Sequence, residues 1–469
     1  MSFFKAYDMR GTFGVDFDLD VVYGVGRHLP AVVRRKNAEA GQDGGSAFRV
    51  LVGRDARASS ADVAGALIAG LIAAGAQVTD IGPATTPMIY FFTAEEDFDA
   101  SVMVTASHNP PSDNGLKVSR RGALPVGYDS GLAELESLVK SSSATGSGFE
   151  GPVEVRAATD EKRLAKYVSW LKEHGGFDPG SSPLRFAVDC SDGMASILAH
   201  ELFGESAIYI NDTPDGTFPH HAPNPLKAEA REQIAAVVRG KQLDCGVIFD
   251  GDADRCMFVD ERGEFVQPDF LIPMLATTFA ERAPVIHDVR TGRAAIEKLA
   301  ADGFTPVMGK VGHAFAKVLL RKTKAVCGGE LAGHYYFRDF HFCDSGELAA
   351  LRILGALSAE KAAGRSVSAA LDPVVNKYAN SGEVNFKVDD KPAAIARVLE
   401  AASHLAAETG RSDIDGYRLE YAEGWISVRQ SNTEPYLRLI VECDTRERLD
   451  AWMAVLSAAI TGGDTGEGT

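Results

Sequence analysis

Ser107 is the residue of this chain whose surroundings best suit covalent chemistry. It lies in the segment TASHNPPSDNGLK (105–117), between an apolar run and a chain-reversing Asn-Pro pair. A hydroxyl on a sharp turn is exposed and pre-oriented, and His108 and Lys117 are nearby proton carriers, as a nucleophile requires. Taken alone, the segment also fits an ordinary turn whose serine caps the next element.

The second candidate segment is DGDADR (250–255), in which three carboxylates alternate between two apolar runs. Alternate spacing in a tight loop directs hard oxygen ligands at one centre. A divalent cation would neutralise the negative charge of the three carboxylates, and Mg²⁺ is the expected ion. Asp250, Asp252 and Asp254 are therefore the predicted metal ligands. An EF-hand calcium loop is rejected, because its sixth position must be glycine and is Arg255 here, and the flanks resemble buried strands.

A haloacid-dehalogenase-type phosphatase is another interpretation of the same motif, since its aspartyl nucleophile also follows a hydrophobic strand. Asp250 would then be the nucleophile. That interpretation leaves Ser107 without a role, whereas a serine nucleophile beside metal-binding aspartates uses both segments.

Two later loops favour the binding of a polar ligand. In GGELAGH (328–334) the glycines let a ligand approach the backbone, and Glu330 can accept two hydrogen bonds from neighbouring sugar hydroxyls. In RQSNTEP (429–435) a guanidinium, two hydroxyls, an amide and backbone N–H groups can form a phosphate cradle. Each loop alone also fits a polar surface turn.

The four segments together resemble those of the α-D-phosphohexomutase family. They occur in the family order, and the resemblance begins at KAYDMRG (5–11), so it spans nearly the whole chain. Within the family, the bacterial phosphomannomutase/phosphoglucomutase branch is the most similar. The grounds for this are the opening segment, Leu331 and the KVGH segment 310–313.

The resemblance implies a phosphohexomutase that interconverts hexose 1- and 6-phosphates of mannose, glucose or both. Phospho-Ser107 gives its phosphoryl group to the substrate, the 1,6-bisphosphate turns around, and the opposite phosphate returns to Ser107. Mg²⁺ is the implied cofactor, held by Ser107 together with the three aspartates. Glucose 1,6-bisphosphate or an equivalent is the implied activator, and small-molecule hexose phosphates are the implied partners.

The other candidate site residues lie in or between these segments. Besides Ser107, the candidates for proton transfer and charge stabilisation are Lys117, Arg10, His108 and His334. The predicted substrate-binding residues are Arg255, Lys310, His313, Glu330, Arg429, Ser431, Asn432 and Thr433. Ala332 stands where the family has serine, so one hydrogen bond to a sugar hydroxyl, worth about 1 kcal/mol, is expected to be missing.

Composition narrows the class of protein. The chain has 469 residues, 45% of them hydrophobic, which is enough for several domains. Its formal net charge of −17 argues against nucleic-acid or anionic-membrane partners and requires a locally basic cleft for a sugar phosphate. Six cysteines without paired metal spacing indicate reduced thiols of a cytoplasmic protein. We expect neither a transmembrane segment nor a signal peptide, and no pattern specifies an oligomeric state.

Three segments share one plan, an apolar strand that ends in a charged turn and leads into an Ala/Leu-rich helix. They are residues 49–57, 185–193 and 284–292. They predict three similar α/β domains with mixed sheets. Alternating strands such as 383–388, with two helices, predict a C-terminal α+β domain, TBP-like by the resemblance, and the four domains are expected to surround a central cleft.

The predicted boundaries give each domain one loop. Domain I (1–155) carries the phosphoserine loop, domain II (156–250) ends at the metal loop, domain III (251–368) carries the sugar-binding loop and domain IV (369–469) the phosphate-binding loop. The Ser/Gly-rich stretch 141–151 predicts a linker, and the tail 462–469 is expected to be disordered.

Two alternatives stay open. A phosphoglucosamine mutase would share the nucleophile, although that branch generally has a different residue after the loop glutamate. A non-catalytic sugar-phosphate sensor would be expected to lose Ser107 or one of the aspartates, and this chain keeps them all. The preferred sugar also stays open, because a Glu330 that grips the 3- and 4-hydroxyls would leave the C2 configuration unread.

Overall fold

The computed structural model describes residues 3–42, 45, 47–143, 148–431 and 436–462. Within these residues the strands form four β-sheets, three mixed and one antiparallel. The predicted fold class, three similar α/β units followed by an α+β unit, is confirmed. No helix in this part of the chain is both long and apolar enough to cross a membrane.

The first unit places Ser107 between two antiparallel strands. Its strands are β1 (Met9–Thr12), β2 (Arg49–Arg54), β3 (Gln77–Pro83), β4 (Ala100–Val104), β5 (Asp113–Arg120) and β6 (Leu124–Pro125), and its helices are α1 (Leu19–Glu39), α2 (Ser60–Ala73), α3 (Thr86–Glu95) and α4 (Leu132–Ser143). The sheet order is β1-β5-β4-β2-β3, with β6 beside β5. Strands β2, β3 and β4 are parallel, β4 and β5 antiparallel, and Ser107 lies in the β4–β5 connection.

The second unit places the three aspartates in the corresponding connection. It comprises α5 (Glu161–Gly175), β7 (Phe186–Asp189), α6 (Ala199–Phe203), β8 (Ile208–Ile210), α7 (Ala228–Lys241), β9 (Cys245–Phe249), β10 (Cys256–Asp260) and β11 (Phe265–Val266). The sheet order is β11-β10-β9-β7-β8. Strands β9 and β10 are antiparallel and fully buried, so the loop between them is anchored at both ends.

The third unit repeats the plan for the Glu330 loop. It comprises α8 (Ile272–Thr277), β12 (Pro284–Asp288), α9 (Arg293–Ala301), β13 (Thr305–Gly309), α10 (His313–Thr323), β14 (Cys327–Gly329), β15 (Tyr335–Phe337), β16 (Cys343–Asp344), α11 (Gly346–Ala362) and α12 (Val367–Val375). The sheet order is β13-β12-β14-β15-β16. Glu330 lies between the antiparallel strands β14 and β15, so three loops predicted from sequence occupy one topological position.

The fourth unit is an antiparallel sheet with two helices. It comprises β17 (Ala379–Asn380), β18 (Val384–Lys387), α13 (Lys391–Ser403), β19 (Glu408–Ser412), β20 (Tyr417–Tyr421), β21 (Gly424–Gln430), β22 (Tyr436–Cys443) and α14 (Arg446–Thr461). The sheet order is β17-β22-β21-β20-β19, with β18 beside β22. The predicted phosphate loop lies between β21 and β22.

Hydrophobic packing joins the first three units and leaves the fourth with a core of its own. One continuous cluster includes Phe91, Phe186, Leu271, Phe337 and Leu351. The core of the fourth unit is separate and forms between its sheet and helices α13 and α14. A common core holds the three loop-bearing sheets in fixed relation, because close-packed interiors do not deform continuously.

Two of the predicted domain boundaries cut through regular structure. The boundary between 250 and 251 falls in the hairpin of β9 and β10, whose strands pair along their whole length. The boundary between 368 and 369 falls inside α12, which packs through Val374 on Phe270 of the third unit. A division that follows the sheets would move both boundaries toward the C terminus.

The predicted linker and tail are only partly described. Residues 141–143 end α4 instead of being irregular, and 148–151 form neither helix nor strand. Residues 144–147 and 463–469 lie outside the described residues. The boundary between 155 and 156 falls between α4 and α5.

Candidate active site

Ser107 is buried, and not exposed as its turn predicts, because the aspartate loop packs on it; its backbone is left-handed, with φ 51°. Its backbone N–H donates to Oγ1 of Thr105 at 2.8 Å, and its hydroxyl donates to Oδ2 of Asp250 at 2.8 Å. A non-glycine residue rarely adopts positive φ unless its surroundings enforce it. The side chain is thus fixed toward the aspartate loop of the second unit.

The two loops are in direct contact. A Cβ added at Gly251 would lie 2.6 Å from the carbonyl oxygen of Ser107, which is too close for any other residue. Glycine at this position lets the aspartate loop approach the serine loop, and the approach explains why Asp250 can reach the hydroxyl.

Lys117 links the other two aspartates. Its Nζ lies 2.6 Å from Oδ2 of Asp252 and 2.5 Å from Oδ2 of Asp254, and all three side chains are buried. Oδ2 of Asp252 also accepts a hydrogen bond from the hydroxyl of Thr86 at 2.5 Å. Lys117 projects from β5, so the first unit supplies both the hydroxyl and the ammonium that meet the aspartate loop.

Burial and neighbouring charges set the protonation of this cluster. Burial raises the pKa of Asp250 to about 7, although Arg255, whose Nε lies 2.8 Å from its Oδ2, opposes the shift. Burial by itself would lower the pKa of Lys117, but Asp252 and Asp254 outweigh it and the pKa is raised. Lys117 is therefore a fixed cation that partly balances the aspartates.

The three aspartates fit a divalent cation. One ligand oxygen from each lies within 4.8 Å of the others. Oδ1 of Asp252 and Oδ1 of Asp254 are buried and have no hydrogen-bond partner among the described residues. Unpaired buried carboxylate oxygens are costly, and hard oxygen donors suit Mg²⁺ or a similar ion, so the donor set agrees with the prediction.

His108 and Arg10 both contact the serine loop. Nδ1 of His108 lies 3.2 Å from Oγ of Ser107, and burial lowers the pKa of His108 well below its usual value, so the imidazole is neutral. Arg10 donates from Nη1 to Oδ1 of Asn109 at 3.1 Å and from Nη2 to Asp8 at 2.6 Å. Its Nε is buried without a partner among the described residues.

His334 connects the sugar loop to the aspartates. Its Nδ1 donates to Oδ2 of Asp344 at 2.8 Å and lies 3.7 Å from Oδ1 of Asp254. Burial opposes protonation, but Asp254 and Asp344 outweigh it, and the pKa of His334 is raised. Asp344 is in turn held by buried Lys317 at 2.7 Å.

Glu330 is buried, and both of its carboxylate oxygens already accept hydrogen bonds. Oε1 accepts from the N–H of Gly312 at 2.6 Å, and Oε2 accepts from the hydroxyl of Tyr336 at 2.5 Å. Each carboxylate oxygen keeps a second lone pair for a ligand. Neighbouring Ala332 is half-buried and adds no polar group to the loop.

The predicted third-unit residues His313 and Lys310 lie on one edge of the same region. His313 begins α10, and its ring centroid is 5.9 Å from that of His334. Tyr7 of the first unit packs edge-on against His313 and donates to the carbonyl of Val311 at 3.3 Å. Lys310 is exposed, with Nζ 5.4 Å from the ring of Phe315.

Arg429 is buried in a cluster of arginines around one carboxylate. Its Nη2 donates to Oε2 of Glu383 at 2.9 Å, and Arg438 donates to Oε1 of Glu383 at 3.1 Å. Arg290 of the third unit lies 3.8 Å from Glu383. Ser431 is buried beside this cluster, and its N–H donates to the carbonyl of Tyr436 at 2.9 Å.

The structure brings most predicted site residues together. The residues connected by the contacts above are Ser107, His108, Arg10, Lys117, Asp250, Asp252, Asp254, Arg255, His313, Glu330 and His334. Arg429 and Ser431 lie in the arginine cluster, which reaches the Glu330 loop through Arg290, Asp288 and the N–H of Leu331. Asn432 and Thr433 lie outside the described residues.

Several neighbours of the site were not among the predicted residues. They are Arg57, Thr86, Arg290, Asp344 and Glu383. Arg57 and Arg290 each lie in the charged turn of one of the repeated strand-turn segments, a signal that could have marked them. Thr86 and Glu383 acquire their partners only through contacts between residues distant in sequence. Asp344 lies 10 positions after its partner His334, in a segment without a recognisable pattern.

Family models match nearly the whole chain. The phosphoglucomutase/phosphomannomutase models match as alpha/beta/alpha domain I over residues 1–145, domain II over 165–263, domain III over 267–378 and the C-terminal domain over 383–459.

Known relatives extend over the same length. The phosphomannomutase of Vibrio cholerae serotype O1 is 36% identical over 457 residues, 94% of each chain. A Xanthomonas campestris protein described as phosphohexose mutases is 36% identical over 452 residues, again 94% of each chain. The crystal structure of a phosphoglucomutase/phosphomannomutase family protein from Burkholderia thailandensis has a TM-score of 0.80 and 28% identity, and covers 99% of this chain and 98% of its own.

The site geometry and these matches agree. The serine loop, the aspartate loop and the sugar loop meet at one place, and the alternative of a haloacid-dehalogenase-type phosphatase is not favoured. The chain therefore belongs to the phosphoglucomutase/phosphomannomutase family, and it is a phosphohexomutase, an isomerase that transfers phosphoryl groups.

Proposed function

We propose that this phosphohexomutase interconverts the 1- and 6-phosphates of mannose and glucose through a phosphorylated Ser107. The observation that carries the proposal is the 2.8 Å hydrogen bond from the Ser107 hydroxyl to Oδ2 of Asp250. A serine that contacts a carboxylate-rich loop in a buried site has both an activating acceptor and an anchored geometry.

The cycle is a pair of phosphoryl transfers. A free hydroxyl of the hexose monophosphate bonds to the phosphorus of phospho-Ser107, the P–Oγ bond breaks, and the proton of that hydroxyl passes to Oγ. The bisphosphate turns around in the cleft, Oγ of Ser107 bonds to the other phosphorus, the P–O bond to the sugar breaks, and the serine proton passes to the sugar oxygen. Since the protein contributes positioning and charge, the fixed cations around Ser107 carry the catalysis.

Asp250, Asp252 and Asp254 are the residues that would hold Mg²⁺. When bound there, the ion would offset negative charge on the transferred phosphoryl group. Lys117 holds Asp252 and Asp254 in place, and Arg255 holds Asp250. These contacts leave the buried Oδ1 atoms of Asp252 and Asp254 as available ligands.

Two sets of residues are proposed for proton transfer and for contacts with the sugar. Neutral His108 lies 3.2 Å from Oγ of Ser107, and Arg10 faces the same loop. His334, oriented by Asp344 through Nδ1, leaves its Nε2 for the substrate. Glu330 offers its remaining lone pairs to sugar hydroxyls.

The arginine cluster is the proposed site of the non-reacting phosphate. Arg429, Arg438 and Arg290 present three cations to the single carboxylate of Glu383. A group of guanidiniums at the junction of the third and fourth units suits a phosphate dianion. Four further residues are proposed to contact the substrate: Lys310, Ser431, Asn432 and Thr433.

Mannose and glucose phosphates are proposed ahead of glucosamine phosphate. The Vibrio cholerae relative is named a phosphomannomutase, and the match covers 94% of this chain. All six cysteines are buried free thiols, as a reducing compartment favours, and the cytoplasm is the proposed location.

A coupled assay tests the proposal directly. Purified enzyme with MgCl₂ and glucose 1,6-bisphosphate is given mannose 1-phosphate, glucose 1-phosphate or glucosamine 1-phosphate in parallel. We expect turnover of the first two to exceed that of the third. If glucosamine 1-phosphate were turned over fastest, the substrate assignment would be wrong, although the phosphoserine cycle would stand.

A further inference from the structure

Arg57 gathers the backbone of the serine loop around one guanidinium. Its Nη2 donates to the carbonyl oxygens of Ser107 at 2.8 Å and Asn109 at 2.7 Å. Its Nη1 donates to the carbonyl oxygens of Pro110 at 2.5 Å and Asp113 at 2.9 Å. The loop between β4 and β5 thus closes on a cation from the connection between β2 and α2.

The guanidinium is itself fixed. The side chain of Arg57 has no exposed surface, and its Nε donates to Oδ2 of Asp55 at 3.1 Å. Oδ1 of Asp55 accepts from the hydroxyl of Ser60 at 2.5 Å and from the N–H of Arg57 at 3.1 Å. These partners fix the guanidinium in one orientation. Its planar N–H groups in turn fix the positions of the carbonyl groups that they bind.

The second unit closes over the same guanidinium. The ring of Phe218 lies 5.1 Å from the guanidinium carbon of Arg57, in cation–π contact. A Cβ added at Gly216 would lie 2.3 Å from the Cα of Arg57. The segment that contains Gly216 and Phe218 therefore packs onto Arg57 as tightly as glycine allows.

We propose that Arg57 is a positioning residue for phosphoryl transfer, because it holds Ser107 in the left-handed conformation that aims Oγ at Asp250. The inference deepens the proposed function and rests on Ser107 as the nucleophile. Carbonyl oxygens that converge repel one another without a donor between them, and the φ of 51° at Ser107 is sparsely populated. Without the guanidinium, the converging carbonyl oxygens would have no donor between them, and Ser107 would lose the contact that holds its unfavourable φ.

The conservative variant Arg57→Lys separates positioning from charge. Lysine keeps the cation but cannot donate in a planar fork to the carbonyls of four residues. Since a misplacement of about 1 Å can cost about 100-fold in rate, we expect kcat to fall by about two decades. KM should stay within about threefold, because the sugar and phosphate contacts come from other loops. Arg49→Lys, at the opposite end of β2, is the matched control and should leave both parameters unchanged.

The covalent step can be followed by itself. Dephosphorylated enzyme is mixed with glucose 1,6-bisphosphate. Oγ of Ser107 then bonds to phosphorus, the P–O bond to the sugar breaks, the serine proton passes to the sugar oxygen, and hexose monophosphate leaves. Intact mass gives the loading rate, which should fall in Arg57→Lys in parallel with kcat.

Chemical rescue distinguishes positioning from support of the fold. In Arg57→Ala, guanidinium chloride at a non-denaturing concentration should raise kcat at least about tenfold. NaCl at the same concentration should not raise it. A kcat within threefold of wild type in Arg57→Lys would overturn the inference, as would a loss that follows a lower Tm and is not rescued. If wild-type enzyme never acquires a phosphoryl group on Ser107, the proposed function fails as well. If wild type and Arg57→Lys acquire it at equal rates, only the proposed role of Arg57 is wrong.

Discussion

The hydroxyl of Ser107 donates to Oδ2 of Asp250, 143 positions later in the chain, at 2.8 Å. The two residues lie in corresponding connections of two similar units, β4 to β5 and β9 to β10. The nucleophile and the proposed metal ligands therefore meet only when the first two units are packed together. The two similar α/β units thus place a hydroxyl from one and carboxylates from the other at the junction between them.

The aspartate loop should bind its cation only when all three carboxylates are present. Asp252→Asn removes a charge and one of the two carboxylate partners of Lys117, so we expect MgCl₂ to raise the Tm of wild type but not of the variant. Turnover of the variant should fall by more than 100-fold, because charge on the phosphoryl group is no longer offset. Asp62→Asn, exposed in the first turn of α2, is the control. A variant that keeps the wild-type response to MgCl₂ would remove Asp252 from the metal site.

Dephosphorylated enzyme should need a bisphosphate to start. A mutase whose nucleophile carries no phosphoryl group has none to lend, so progress curves on mannose 1-phosphate should show no turnover until glucose 1,6-bisphosphate is added. The starting material is phosphatase-treated protein whose mass shows no phosphate. Full initial velocity without activator would contradict the cycle.

The arginine cluster should contribute to both binding and turnover. Arg429→Ala removes a charge-assisted contact worth roughly 1.5 to 3 kcal/mol, so kcat/KM should fall by about one to two decades. Part of the loss should appear in kcat, because phosphate binding energy helps to orient the reacting hydroxyl. Arg411→Ala, an exposed arginine of the same unit paired with Glu408, should behave like wild type. Wild-type kinetics of Arg429→Ala would show that this cluster is structural.

His221 should make stability depend on pH. Its Nε2 lies 3.0 Å from Oδ2 of Asp189, and although burial opposes protonation, that carboxylate raises the pKa of His221 above the unfolded value of 6.5. The protonated pair therefore stabilises the fold fully below that value, and its contribution is lost as the pH rises through the folded pKa.

The Tm difference between wild type and His221→Gln measures this contribution. It should be largest near about pH 6 and shrink toward about pH 9. His404→Gln, which replaces an exposed histidine at the end of α13, is the matched control. A difference that widens as the pH rises would show that the folded pKa is not raised.

Local sequence patterns predicted the fold class and the four loops, because strand, turn and charged residues are contiguous in each. The structure brings the serine and aspartate loops together and places Lys117 between Asp252 and Asp254. The predicted boundary at 250 falls at the aspartate loop, which the structure places at the apex of the β9–β10 hairpin. The partners of Arg57 and Glu383 are distant in sequence, so the repeated segment could mark Arg57 as a candidate but could not specify what it contacts.

Intact-mass measurement of Ser107→Ala beside wild type tests the phosphoserine cycle most directly. After incubation with glucose 1,6-bisphosphate, wild type should gain the mass of one phosphoryl group, which peptide mapping places on Ser107. Ser107→Ala should gain none and lose nearly all turnover, since the neighbouring groups cannot form the same phosphoester. Covalent phosphate on Ser107→Ala, or turnover close to that of wild type, would contradict the account.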